Sequence, residues 1–130
     1  MKRMNATARP IIIAGALLAF LGVLLGAFGA HALKTRLDAD LLTVYQTGVQ
    51  YHLAHALGVM LVGTLVQGLP TSKWLPIAAW TMTAGVIVFS GSLYALSLTG
   101  IRELGAITPV GGVALLTAWM LVVIGTAKAT

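Results

Sequence analysis

Apolar residues along this chain come in four long unbroken runs, and the polar residues between them come in short clusters. The first run extends from Ile11 to Leu33 without a formal charge. The second lies within Leu41 to Leu69, with a polar first half and an apolar second half. The third covers Leu75 to Leu98 and the fourth Leu104 to Ala127. Crossing a hydrocarbon core of roughly 30 Å takes about 20 helical residues. Each run meets that length, so the pattern predicts an all-α integral membrane protein with spans over residues 11–33, 44–68, 75–98 and 105–127. The connections Lys34–Asp40, Pro70–Lys73 and Thr99–Glu103 are short, which makes successive helices antiparallel neighbours in an up-down bundle. Membrane strands would alternate apolar and polar over about 10 residues, which these runs do not do.

Local signals agree with this reading. Ser72 stands where it can cap the third helix ahead of Pro76, a residue suited to a first helical turn. Thr108-Pro109 offers a second start signal inside the fourth run, leaving either a start near Pro109 or a kink there. The basic start followed by an apolar run also resembles a secretory signal, with Ala30-His31-Ala32 as a cleavage pattern. The run is too long for a signal core. Its small residues Gly15, Ala19, Gly22, Gly26, Gly29 and Ala30 fall within about a third of the helix circumference, as a packed helix requires and a disposable one does not. Gly22 and Gly26 are expected to be the tightest step of that stripe, with Gly85, Gly111 and Gly112 as further packing positions. A single membrane domain over residues 1–130 is expected.

Composition strengthens the membrane reading and sets an orientation. The chain is 58% hydrophobic and 8% charged, against about 25% charged in ordinary soluble domains. The net charge of +5 does not gather into a basic patch with interleaved aromatics, so nucleic acid is not an expected partner. With four spans, Lys2, Arg3, Arg9, Lys73 and Lys128 lie on one side without acids. Lys34, Arg36 and Arg102 share the other side with Asp38, Asp40 and Glu103. The positive-inside rule then predicts cytoplasmic termini.

Candidate chemistry is confined to a few residues. On a helix, Gly48, Tyr51, His52 and His55 share an arc of about 100°, with Tyr45 at its edge. Gln46 and Gln50 occupy a different face. Facing lipid would leave these groups unpartnered at several kcal/mol each, so the outer half of the second helix is expected to have little lipid exposure. Two readings follow. In one, His52 and His55 line a ligand or ion pocket together with Tyr45, Gln50 and Tyr51, and His31 is a further candidate for it. In the other, neutral imidazoles and tyrosines hydrogen-bond across helices and fix the register. The second is favoured because a neutral histidine is cheaper to bury than a carboxylate.

Other chemistries fit poorly. His52 and His55 lie on one helix, and His31 sits near the outer end of the first, so a haem between facing helices is awkward. Zinc would want three or four ligands, and no carboxylate or thiolate lies within a span. No cofactor and no metal site is expected. The spans carry no acid for proton coupling and no serine–histidine–acid set, and Gly111-Gly112 lacks the Gly-Lys-Ser/Thr of a phosphate loop. Thr81, Gly85, Ser92 and Thr99 fall near one stripe of the third helix, while Ser90, Tyr94 and Ser97 lie elsewhere on it, which suggests contacts to two neighbours or to another subunit. Trp74, Trp80 and Trp119 read as interfacial anchors.

Four blocks carry a family resemblance: Gly26-Ala-Phe-Gly-Ala-His-Ala-Leu-Lys34, Tyr45-Gln-Thr-Gly-Val-Gln-Tyr-His-Leu-Ala-His-Ala-Leu57, Phe89-Ser-Gly-Ser-Leu-Tyr94 and Ile107-Thr-Pro-Val-Gly-Gly112. In order and spacing they resemble the DUF423 family, also called UPF0382 or YgdD-like inner membrane proteins, to which eukaryotic transmembrane protein 256 is similar. The resemblance implies a small four-helix protein of the bacterial inner membrane and carries over no catalytic or binding residue. The expected function is therefore non-enzymatic: a self-associating or accessory membrane subunit acting through helix packing, with small-molecule, ion or lipid binding as the alternative. Its expected partners are the bilayer and a homo-oligomer or larger membrane complex.

Overall fold

The computed structural model describes residues 2–129; Met1 and Thr130, the ends of the expected domain, lie outside the described residues. Four helices cross the molecule: α1 (Ala8–Phe28), α2 (Ala39–Gly68), α3 (Trp74–Thr99) and α4 (Thr108–Ala127). A π-helical turn, Gly29–Leu33, extends α1, and a 3-10 turn, Arg102–Ala106, leads into α4. Together they give four stretches long and apolar enough to span a bilayer. The protein is all-α and no strand occurs among the described residues.

The fourth helix begins at Thr108 with Pro109 in its first turn, where proline's missing N–H costs nothing. The preceding residues wind as a 3-10 turn, so the helix has a lead-in and not a kink. The α2 helix starts at Ala39, five residues before the expected span at residue 44. Asp40 in its first turn faces the positive end of the helix dipole, and Thr43 Oγ bonds the Ala39 carbonyl. Both features extend a polar turn beyond the apolar run. Ser72 Oγ accepts the Leu75 N–H at 3.4 Å and donates to the Gly125 carbonyl at 3.3 Å, so it ties the start of α3 to the end of α4. Gly100, at φ 72°, closes α3 in the left-handed conformation that suits glycine.

The packing is sequential. α1 lies along α2, α2 along α3 and α3 along α4, while α1 meets α3 only briefly. The centre is therefore α2 and α3, through Ala56, Val59, Val62 and Val66 against Ala78, Ala79, Met82 and Val86. Ile11 and Leu18 of α1 and Leu115 and Ala118 of α4 complete it from the flanks.

Glycines set the helix separations, and the order differs from the expected one. A Cβ at Gly15 would lie 2.8 Å from the Met60 backbone nitrogen, whereas one at Gly26 meets nothing nearer than Val49 Cγ1 at 3.2 Å. Gly22 faces the flexible end of Leu53 at 2.7 Å. The closest approach of α1 to α2 is thus at Gly15, because there the neighbour is backbone and not a movable side chain. Gly111 approaches the Phe89 backbone and Gly85 meets Leu115, while Gly112 has ordinary contact only. Gly58, Gly63 and Gly125 are equally tight positions outside the expected set.

The first and last described segments lie at one end of the bundle. Asn5 bonds Gln67 and the Val66 carbonyl, and the ammonium groups of Lys73 and Lys128 sit 5.4 and 5.8 Å from the Trp74 ring. At the opposite end Arg102 pairs with Asp40 at 2.7 Å and joins the two connections there.

Candidate functional site

The polar arc of α2 faces α3 and α4. It is held close by Gly48, where a Cβ would lie 2.8 Å from the Tyr94 ring. Ser90 Oγ of α3 donates to the Gly48 carbonyl at 2.7 Å, a buried bond between the two central helices. On the other face of α3, Ser92 Oγ meets Thr108 Oγ1 at 2.6 Å at the start of α4. The two polar faces of α3 therefore serve two neighbouring helices.

His55 is buried, and both of its ring nitrogens have partners. Its Nδ1 lies 2.8 Å from the Tyr51 carbonyl, which can only accept. Its Nε2 receives the indole N–H of Trp119 at 3.0 Å. An imidazole that donates from Nδ1 and accepts at Nε2 is neutral and has one tautomer. Trp119 reaches this bond from the middle of α4, so it is an interhelical link and not an end-of-helix anchor. An indole near mid-span has no water to bond, and the imidazole supplies the acceptor.

His52, one turn earlier, is 5% exposed. Its Nδ1 is 2.9 Å from the Tyr94 hydroxyl. Its Nε2 is buried beside α1, near the Leu18 carbonyl, without a partner in hydrogen-bond geometry. Tyr94 packs in turn on Tyr45, with ring centroids 5.2 Å apart. Tyr45 is fully buried, fills the space over Gly29, and donates its hydroxyl proton to the Leu25 carbonyl. It is a core residue at the Asp40–Arg102 end of the bundle, because the absent Cβ at Gly29 makes room for its ring.

Tyr51 is 43% exposed. Its ring stacks on His55 at 5.9 Å and tilts against Phe89 at 4.6 Å. With Phe89, Val113, Leu116 and Trp119 it lines a groove of about 510 Å³ between α2, α3 and α4. Gln46 and Gln50 are exposed and line a separate groove of about 180 Å³ with Gly26, Gly29 and Ala30. His31 lies exposed in the π-helical turn. It shares no hydrogen bond or ring contact with His52 or His55.

The expected pocket residues do not line one cavity: Tyr51 and His55 share the groove beside Trp119, Tyr45 and Gln50 share the groove beside Gly29, His52 faces Tyr94, and His31 stands apart. Tyr94 and Trp119 are the partners that sequence reasoning did not pair with the histidines. The available signal for Trp119 was its position near the centre of the expected span 105–127. Among the described residues, no three histidine, cysteine or acidic side chains converge as metal ligands.

The comparisons with known proteins give this arrangement a family. The family model described as "Protein of unknown function (DUF423)" matches residues 25–112. The chain belongs to the DUF423 family. The match covers Tyr45, Tyr51, His52, His55 and Tyr94 and ends before Trp119. This DUF423 chain is 50% identical to the UPF0382 membrane protein YwdK of Bacillus subtilis (strain 168) over 117 residues, covering 90% of the chain and 95% of that relative. It is 44% identical to a UPF0382 membrane protein of Staphylococcus epidermidis over 117 residues, covering 90% and 94%. It is 37% identical to the UPF0382 inner membrane protein YgdD of Escherichia coli (strain K12) over 119 residues, covering 92% and 90%. No solved structure matches the chain. Names and helices agree that this DUF423 chain is a membrane protein.

Proposed function

We propose that this protein is a non-enzymatic subunit of the bacterial inner membrane that acts by associating with other membrane chains, its own copies or a partner. The observation that carries this reading is a division among its polar groups. Inside the bundle they are spent on bonds between helices: Tyr45 on Leu25, Ser90 on Gly48, Ser92 on Thr108 and His55 on Trp119. Outside it, Gln46, Gln50 and Tyr51 on α2 are exposed where a bilayer would surround them. Hydrocarbon offers an amide no partner, so those positions call for protein. The connections are too short to form a site outside the membrane. Native mass measurement of the chain in lipid nanodiscs tests the proposal: assemblies of more than one membrane chain are expected, and a lone monomer would overturn it.

A second reading, ligand binding, draws on one observation: the buried Nε2 of His52 lacks a bonded partner. His55, with both nitrogens committed, argues against extending that reading to the whole arc.

In orientation, both termini are assigned to the cytoplasm. The end with Lys73 and Lys128 beside Trp74 also has Lys2, Arg3 and Arg9 on its side, while the other end has Lys34, Arg36 and Arg102. The end richer in bases belongs on the inside.

A further inference from the structure

The α2 helix carries two exposed glutamines one turn apart, Gln46 and Gln50, on the side turned away from the histidine arc. The chain's other glutamine shows what such a group finds when the fold provides for it. Gln67 accepts the Asn5 backbone N–H at 2.7 Å and donates to the Arg3 carbonyl at 3.3 Å. Gln46 and Gln50 make no comparable bond among the described residues. Gln50 lies roughly 9 Å along the helix from residue 44, where the expected span begins, which places it within hydrocarbon.

The two amides border a groove of about 180 Å³ whose floor is Gly26, Gly29 and Ala30 of α1 and its π-helical extension. Small residues beside a polar residue are the pattern by which membrane helices approach one another closely and bond through side chains. The patch contains no formal charge, and the nearest ionic groups, Asp40 and Arg102, already pair with each other.

We infer that this α1/α2 face is the contact between two copies of the chain, related by a two-fold axis with Gln50 opposite Gln50. The inference rests on the associating role proposed above and names its partner. A carboxamide both donates and accepts, so two such groups facing each other across a two-fold satisfy one another without any other group. A different membrane protein would have to supply a separately matched surface; a second copy carries the match already. The pairing also accounts for the outer half of α2, whose polarity demands shielding from lipid that the single chain leaves incomplete.

The chain has no cysteine, so single introduced thiols report the face directly. Gln46→Cys, exposed one turn from Gln50 along the proposed axis, is oxidised in native membranes beside Leu116→Cys, which lies 73% exposed on α4. The inference expects disulfide-linked dimers from Gln46→Cys and none from Leu116→Cys. It further expects the dimer fraction of the Gln46→Leu/Gln50→Leu variant in nanodiscs to fall at least tenfold while its helical content and melting stay unchanged. Dimers that persist in that variant, or that cross-link through Leu116→Cys and not Gln46→Cys, overturn this face while leaving association itself standing. A wild-type chain that is monomeric in nanodiscs and joins no other chain sinks both. If the double leucine variant fails to fold, the cysteine pair decides alone.

Discussion

Trp119 donates its indole proton to Nε2 of His55, 64 residues earlier in the chain, across 3.0 Å. The bond joins α4 to α2, two helices that otherwise pack mainly on α3. Removing either partner leaves a polar group that hydrocarbon cannot satisfy, buried in the case of His55, at about 1–3 kcal/mol. His55→Ala is expected to lower the melting temperature in detergent, and His55→Gln, whose carbonyl can still accept the indole proton, to lower it less. Equal melting of both variants would show that the bond contributes nothing.

Tyr94 and Tyr51 provide an internal contrast. The Tyr94 hydroxyl bonds His52 Nδ1 at 2.9 Å, whereas the Tyr51 hydroxyl has no comparable bond among the described residues. Tyr94→Phe would leave His52 with neither nitrogen bonded, costing about 1–3 kcal/mol. Tyr51→Phe is expected to fall within about 0.5 kcal/mol of the parent. Chemical unfolding in mixed micelles would rank the two, and the reverse order would contradict the assigned bond.

The glycine stripe of α1 gives a graded series. A methyl group at Gly15 runs into Met60 backbone, one at Gly22 meets the movable end of Leu53, and one at Gly26 only touches Val49. Overpacking against fixed backbone costs about 1–3 kcal/mol. Gly15→Ala is therefore expected to destabilise most and Gly26→Ala least, read by thermal aggregation in detergent. A series in which Gly26→Ala is the worst would restore the order that the small-residue spacing alone suggested.

The difference between those two orders shows what the sequence could and could not convey. Hydrophobic run lengths are a property of the chain by itself, so four spans and their antiparallel order were legible from residue types alone. The face of α1 carrying Gly15, Gly22 and Gly26 was legible too, because helical angle follows from spacing. Which glycine lies closest depends on the axial offset and tilt of α2 against α1, and that offset has no sequence signature. The same holds for the histidines. Their arc on α2 could be drawn, but the partners Tyr94 and Trp119 come from helices whose rotation is set by packing. Gln46 and Gln50 show the converse: polarity announced that this face needs covering, and the single chain leaves it bare.

The orientation prediction joins the two ends of the bundle. At one end Lys73 and Lys128 flank Trp74, and Lys2, Arg3 and Arg9 lie on the same side with no acid in any connection there. The other end carries fewer bases, Lys34, Arg36 and Arg102, the last paired with Asp40. Bases near span ends hold their side in the cytoplasm, so a C-terminal reporter active only in the cytoplasm should be active, and the same reporter inserted after Thr35 silent. The margin comes from bases that the fold gathers at one end, so replacing them should erode it. Lys2→Gln, Arg3→Gln and Arg9→Gln together should yield a mixed population, with Lys73 and Lys128 alone opposing Lys34, Arg36 and Arg102. The Asp40–Arg102 pair is open to water on both partners, and Asp40→Asn should leave topology unchanged because acids weigh little in this rule. A silent C-terminal reporter in the parent chain would reverse the assignment of both ends at once, since the even number of spans binds the termini to one side.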